Sequence, residues 1–295
     1  MIARLAINSI VRCEMIDELK PFLKWVGGKR QLLGELVPLL KSMCPNSATY
    51  VEPFLGGGAV LFALQPSKAI VNDLNSELIN VYEVVRDEPD ALIELLKEHA
   101  HLHCEEHFYR VRELDRAEIF FEQTNVERAA RLIYLNRTCF NGLYRVNARG
   151  HFNVPFGRYK NPAIVNEEKL RAASEYLQSN DVTICNEDYR TLLERLDDDV
   201  FVYLDPPYMP LTVSSSFTNY TGDGFDFARQ RELRDACLKM RGRNIPFLES
   251  NSDCNEIREL YADFEIKTVR ATRAINSVGT RRGAINEVLI YFGGD

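Results

Sequence analysis

From Thr49 to Phe62 the chain reads TYVEPFLGGGAVLF, and far downstream, from Val200 to Tyr208, it reads VFVYLDPPY. Each begins as a near-continuous apolar run and stops abruptly, the first at three glycines and the second at two prolines. Strands buried on both faces read this way, because a half-solvated strand alternates polar and apolar residues. Ala69–Val71 and Ile245–Leu248 are shorter runs of the same kind, with helical patterns between them at Ser76–Val85 and Phe227–Met240. Strands alternating with helices predict an α/β fold built on a doubly wound sheet. Near the C-terminus, Phe264–Arg270 and Asn286–Phe292 read as a pair of strands joined by a basic loop.

The middle of the chain breaks this alternation. Residues 79–136 carry a mostly helical pattern rich in Glu, Leu and Arg. Residues 137–161 are rich in Asn, Gly, Arg and aromatics, with turn signals at Asn141-Gly142 and Arg149-Gly150. This predicts a small domain inserted into the sheet. With 295 residues, 45% of them hydrophobic, the chain can bury one large core or two modest ones. The net charge of −7 argues weakly against a nucleic-acid partner, but the average hides local patches. Arg128 to Asn166 contains seven Lys/Arg and no acid, and Ile266 to Asn286 contains five Lys/Arg and no acid. Acids gather elsewhere, as at Asp197-Asp198-Asp199. Local patches, not net charge, set phosphate attraction.

Seven scattered cysteines without a C-x-x-C pair fit a reduced, cytoplasmic compartment. No apolar run reaches the roughly 18 residues of a membrane span. The N-terminal stretch is interrupted by Asn8, Ser9 and Arg12 and lacks a clear signal-peptide core. Met15 is an alternative start, which would make the first 14 residues an upstream extension; residues 1–19 are expected to stand apart from the catalytic domain as an N-terminal extension.

Gly56-Gly57-Gly58 falls at the carboxyl end of the first strand, where such a turn lets backbone approach a nucleotide-like ligand. Asp73, just past the Ala69–Val71 run, is placed to accept hydrogen bonds from ribose hydroxyls. A dinucleotide fingerprint needs Gly or Ala where Leu61 stands, and a P-loop needs Gly at Leu23 and Ser or Thr at Arg30. Both alternatives fail on spacing.

Asp205-Pro206-Pro207-Tyr208 is the most specific segment. A strand merely ending in prolines would call for no particular tetrapeptide. An amino group such as N6 of adenine is a poor nucleophile because its lone pair is delocalised into the ring. Two acceptors holding its hydrogens favour a more tetrahedral nitrogen, and the Asp205 carboxylate and Pro206 carbonyl suit that task. The prolines remove competing N–H donors and stiffen the loop. Tyr208 offers a flat face to a base that has left its duplex, which costs a few kcal/mol that stacking partly offsets.

Across residues 20–292 the chain resembles the Dam-type DNA adenine methyltransferases. The motifs that carry the resemblance are FLKWVGGK (22–29), VEPFLGGG (51–58), NDLN (72–75), NRTCFNGLYRVN (136–147), FNVPFGRYKNP (152–162), DPPY (205–208) and SNS (250–252). The resemblance implies a Rossmann-like sheet dependent on S-adenosylmethionine. Residues 20–78 and 165–295 would form the catalytic domain, and 79–164 a mainly helical target-recognition domain carrying a β-hairpin. It also implies residue roles. Trp25, Lys29, Gly56, Gly58, Asp73, Asp188, Tyr189 and Asp205 would bind the cofactor, and Asp205 to Tyr208 would hold the flipped base. Lys24, Arg137, Phe140, Asn141, Leu143, Arg145 and Pro155 would face DNA, with Arg145 reading a guanine and Lys24 another base pair. Phe140 and Asn141 match positions inserted at or near the target. The inserting residue is often Tyr in this family; Phe140 can wedge and stack but has no hydroxyl. GATC is the expected site, although some relatives read longer ones. The resemblance implies double-stranded DNA as partner, a monomer of bacterial or phage origin, and a cognate restriction enzyme as a possible companion.

The residues themselves agree for 128–160, where arginines interleave with aromatics and glycines. A bidentate Arg–guanine pair is worth about 1–3 kcal/mol of discrimination, while the other arginines suit phosphates. For Arg128 and Arg131, a solvated surface position is an equal alternative. For Trp25, the alternative is an ordinary core aromatic. An RNA methyltransferase, a cytosine-N4 enzyme and a non-catalytic DNA-binding relative remain open as other functions. His99, His103 and His107 would share one face of a continuous helix. A zinc site is one reading, but the chemistry needs no metal, and a solvated, acid-flanked helix end is the expected one.

Overall fold

The computed structural model describes residues 19–45, 47–209, 225–272 and 284–294. All of the expected 1–19 extension except Leu19, which is buried in the core, lies outside them, as do the alternative start at Met15 and the basic loop over 273–283.

Seven strands form one sheet: β1 (Thr49–Glu52), β2 (Lys68–Asn72), β3 (Asp181–Cys185), β4 (Val200–Leu204), β5 (Phe247–Ser252), β6 (Glu265–Thr272) and β7 (Ala284–Phe292). Their order is β3-β2-β1-β4-β5-β7-β6. The first five are parallel, whereas β7 runs antiparallel between β5 and β6. The expected α/β architecture is therefore present. The expected strand at Ile245–Leu248 begins two residues later and extends to Ser252. β3 was not anticipated; it is an edge strand with only Val182 buried, so it lacks the continuous apolar signature of its neighbours.

β1 and β4 are buried at every residue. They pair in register, Val51 opposite Val202, at the point where strand order reverses. The loops leaving two such strands diverge and open a crevice at their carboxyl ends. This pairing brings the glycine loop and the DPPY segment together.

Ten helices surround the sheet among the described residues. α1 (Leu33–Met43), α2 (Ala59–Leu64), α3 (Ser76–Asp87), α7 (Glu167–Ser179), α8 (Tyr189–Glu194), α9 (Phe227–Gly242) and α10 (Asn255–Leu260) alternate with the strands. α4 (Pro89–His101), α5 (Glu105–Glu113) and α6 (Asn125–Thr138) form the helical middle. α3 begins at an Asn75 cap whose side chain accepts from Leu78 N at 3.1 Å. α6 begins with a capping box between Thr124 and Glu127. The boundary drawn at 78/79 falls within α3, and one buried cluster runs from the sheet (Phe201, Tyr203) through α3 (Val81, Tyr82) into α6 (Leu132, Tyr134). A second cluster packs α8, α9 and α10 on the other side. No described helix is long and apolar enough to cross a membrane.

Two expectations for the middle region are corrected. The histidine segment is not one helix: α4 ends at His101 and α5 starts at Glu105. Nor is it simply a solvated end, because its histidines pack around Tyr134 of α6. His99 stacks on that ring at 4.8 Å, His103 Nδ1 lies 3.0 Å from its hydroxyl, and His99 Nδ1 lies 3.0 Å from His107 Nε2. Burial pushes His99 down to about 4, with His107 adding to the effect. Among the described residues no cluster of His, Cys, Asp or Glu is arranged to hold a metal. Arg131 is not a solvated surface residue but is buried against Asp115 at 2.8 Å, whereas Arg128 is partly exposed and pairs with Glu77.

Candidate active site and nucleic-acid interface

The glycine loop turns tightly after β1. Gly58 has φ +67, and a Cβ there would lie 2.6 Å from the Tyr82 hydroxyl, so only glycine fits. The Tyr82 hydroxyl donates to Gly56 O at 3.1 Å, and Trp25 packs on the loop from outside. Asp73, just after β2, holds this loop with one carboxylate oxygen and its own turn with the other. Oδ2 accepts from Gly56 N and Oδ1 from Asn75 N, each at 2.9 Å. Each oxygen retains a further lone pair for a ligand hydroxyl. Burial raises the Asp73 pKa against these two hydrogen bonds.

Opposite, β4 delivers Asp205. The buried Lys29 ammonium pairs with Asp205 Oδ1 at 2.7 Å, and Ser250 Oγ of β5 donates to the same oxygen at 3.3 Å. Both contacts fall on Oδ1, which leaves Oδ2 as the carboxylate's other acceptor. Burial raises the Asp205 pKa, Lys29 opposes the rise, and Glu287 adds to it. Lys29 also lies 4.3 Å from the centre of the Tyr208 ring and donates to Gly27 O at 3.1 Å. Pro206 is buried and Pro207 exposed. The Pro207 carbonyl accepts from Gln230 at 3.0 Å.

Trp25, Lys29, Gly56, Gly58, Asp73 and Asp205 to Tyr208 thus stand along one crevice, drawn from the N-terminal segment and from the ends of β1, β2 and β4. Asp188 and Tyr189 follow β3. The Asp188 carboxylate caps α8 and pairs with Arg190 at 2.8 Å, so it is already engaged within the fold. Tyr189 packs on Phe54 at 5.1 Å, and its buried hydroxyl has no partner among the described residues.

The segment expected to face DNA is built differently. Asn136 of α6 is buried and joins three pieces: it accepts from Lys24 N at 2.9 Å and donates to Lys24 O at 2.7 Å and Gly142 O at 3.0 Å. Phe140–Gly142 forms a single tight turn, with Asn141 and Gly142 both at positive φ. Phe140 is 50% exposed, and its backbone N–H donates to Pro155 O at 2.9 Å. Leu143 is partly buried, whereas Asn141, Arg145 and Pro155 are exposed. Arg145 Nε donates to Asn153 Oδ1 at 2.6 Å. The expected hairpin is present only as isolated antiparallel bridges, Cys139 to Phe156 and Val146 to Phe152, around a turn at 147–151. Lys24 extends to 4.9 Å from the Tyr159 ring centre. Arg137 differs from these: its guanidinium donates to Phe22 O, and burial lowers its pKa. It therefore braces the N-terminal segment against α6.

Sequence reasoning assigned no role to several residues that the fold places here. Glu52 is buried at the end of β1, accepts from Tyr50 hydroxyl at 2.9 Å, and is pushed up to about 8 by burial. Glu287 accepts from Tyr208 hydroxyl at 2.6 Å. Their signal was a lone acid within an apolar strand. Gln230 and Asn136 left no comparable signal.

Residues 25–275 match the family model of the D12 class N6 adenine-specific DNA methyltransferases. Relatives include a type II methyltransferase of Lactococcus lactis subsp. cremoris, M1.LlaDCHI, 44% identical over 92% of this chain and 95% of its own length. M.MjaIII of Methanocaldococcus jannaschii, also a type II methyltransferase, is 42% identical over 92% of this chain and 99% of its own. The DNA adenine methylase of Escherichia coli K12 is 36% identical over 92% and 95%. The chain belongs to the D12 class of N6 adenine-specific DNA methyltransferases.

Proposed function

We propose that this enzyme uses S-adenosylmethionine to methylate N6 of an adenine flipped out of duplex DNA, within the sequence GATC. One observation supports the catalytic part above all: Asp205 stands at the switch point, paired with Lys29 and facing the glycine loop across the crevice. The donor set fits S-adenosylmethionine. Asp73 keeps acceptor capacity for ribose hydroxyls beside a glycine loop, and Trp25 supplies an aromatic wall. When bound, the cofactor supplies an electrophilic methyl group.

The chain's own residues do the rest. Asp205 Oδ2 and the Pro206 carbonyl accept the two N6 hydrogens, which draws the nitrogen lone pair out of the ring. Tyr208 stacks on the base. When N6 gains a fourth substituent it must lose a proton, and Asp205, whose pKa burial raises, is the base in contact with it. Much of the acceleration comes from holding the reacting atoms in line.

The GATC reading rests on resemblance in the Asn136–Asn147 segment and on the exposed Arg145, which is anchored by Asn153. Phe140 is exposed at the tip of its turn, as a wedge must be. Methyl transfer from labelled S-adenosylmethionine to duplexes differing only in GATC versus GTTC tests both parts. N6-methyladenine in the GATC duplex alone is expected. Label in both duplexes would sink the sequence assignment. Label on cytosine would sink the base assignment.

A further inference from the structure

Behind the DPPY segment lies a set of buried polar contacts that the segment's own sequence does not explain. Glu287 sits on β7, paired across the ladder with Ser252 at the end of β5. Because β7 runs antiparallel, its first residues share the edge at which β4 and β5 finish. Glu287 is 9% exposed, and its carboxylate accepts the Tyr208 hydroxyl at 2.6 Å. Lys29 meets the face of the same ring at 4.3 Å. Two contacts of different kinds therefore hold one aromatic side chain, one at its hydroxyl and one at its face. The backbone beside it is held as well. Gln230, fully buried on α9, donates to Pro207 O, and its own Oε1 accepts from Asn251 of β5 at 3.0 Å.

An acid within the apolar strand AINEVLIYF costs free energy to bury, and an apolar residue would pack there more cheaply. The cost makes sense if the carboxylate holds something. We propose that Glu287 is a positioning residue for methyl transfer, fixing through the Tyr208 hydroxyl the angle at which that ring stacks on the target adenine. This rests on the reading of Tyr208 as the stacking face. A ring free to turn about its side-chain torsions would admit many base poses, of which few align N6 with the incoming methyl group. The negative charge of Glu287 also acts on Asp205, as a lesser cause beside burial. The hydrogen bond and the charge are separable, since glutamine keeps the acceptor and lacks the charge.

The test compares wild type, Glu287→Gln, Glu287→Ala, Tyr208→Phe and Glu287→Ala/Tyr208→Phe. Each is assayed on unmethylated genomic DNA with labelled S-adenosylmethionine and nucleoside analysis, alongside thermal melting. Glu287→Ala is expected to lower kcat about 10- to 100-fold, as misplacement of a reacting group does. KM for S-adenosylmethionine should stay within about twofold, and Glu287→Gln should return kcat to within about threefold of wild type. The double variant should be no slower than Tyr208→Phe alone. Tyr208→Phe removes the same bond from its other end, which preserves the measurement should Glu287→Ala not fold; it too should lower kcat at constant KM. Equal losses in the Gln and Ala variants, multiplying losses in the double variant, or an unaffected Tyr208→Phe would overturn the proposal. A wild-type enzyme that leaves adenine N6 unmodified would sink this proposal and the proposed function together. An active wild type with an unaffected Glu287→Ala would sink this one alone.

Discussion

The crevice and the recognition segment handle polar groups in opposite ways. In the crevice, Lys29, Glu52, Ser250 and Glu287 are buried and every one of them touches another polar group. In the recognition segment, Phe140, Asn141 and Arg145 are exposed, and the backbone is held by isolated bridges and one buried asparagine. Under the proposed function, the difference follows from two tasks. Stabilising a charge that moves onto N6 needs fixed dipoles in a place poor in water, where they need not reorganise. Reading base edges needs donors that stay solvated until DNA replaces the water, on a segment able to adjust its fit.

Removing one group from each region breaks the comparison most directly. Asp205→Ala should lower methyl transfer about 10²- to 10⁴-fold, the range for losing a positioned base, with DNA affinity near wild type and a lowered melting temperature, because the Lys29 ammonium is left buried without its partner. Full activity would show that the buried carboxylate is not what the crevice is built around. Arg145→Ala should instead cost about 1–3 kcal/mol of discrimination at one base pair. Competition between cognate and singly altered duplexes reads this, with maximal turnover on the cognate site largely kept. An equal loss on all sequences would make Arg145 a phosphate contact.

The sheet beneath the crevice and the helical middle should also answer pH in opposite senses. Burial pushes Glu52 up to about 8 and Glu249 to about 7. Their unfolded forms ionise near about 4.3, so what these groups contribute to stability is full below that value and lost as pH rises through 7 and 8. His99 is pushed down to about 4. The unfolded chain therefore takes the proton first, and its contribution is lost as pH falls from about 6.5 towards 4. Hydrogen exchange at pH 7.5 and 5.5, corrected for intrinsic rates, should show α4 to α6 loosening and β1 and β5 tightening on acidification. A uniform response would remove the contrast. The smallest expected effect is at the N-terminus of α6, the helix that carries Tyr134 and leads into the turn at Phe140–Gly142. Thr124→Ala breaks the capping box and should cost about 1 kcal/mol in a denaturant titration, with kcat unchanged.

Legibility in the sequence followed the same divide. β1 and β4 are buried on both faces, so their residues are apolar throughout and the strands announce themselves. β3 lies at the sheet edge with one buried residue, so Asp181–Cys185 carries β-branched residues but not the continuous apolar run by which the other strands were read. The DPPY segment and the glycine loop were readable because local backbone chemistry dictates their residues. Gln230 was not, because its role depends on α9 passing behind Pro207. The histidines were misread for a related reason. Their spacing suggested a solvated helix face, whereas a break after His101 folds His107 back onto His99 and Tyr134.

The sequence by itself determined the sheet class, the turn glycines, the Asp205–Tyr208 tetrapeptide and the basic, aromatic character of residues 128–160. These are properties of residues close along the chain, where sterics, periodicity and local charge act directly. Only the tertiary structure decided which distant groups meet: Lys29 with Asp205, Glu287 with Tyr208, Asn136 with Lys24. Such pairings depend on strand order and helix packing, and these emerge from burying the whole core at once rather than from any one segment.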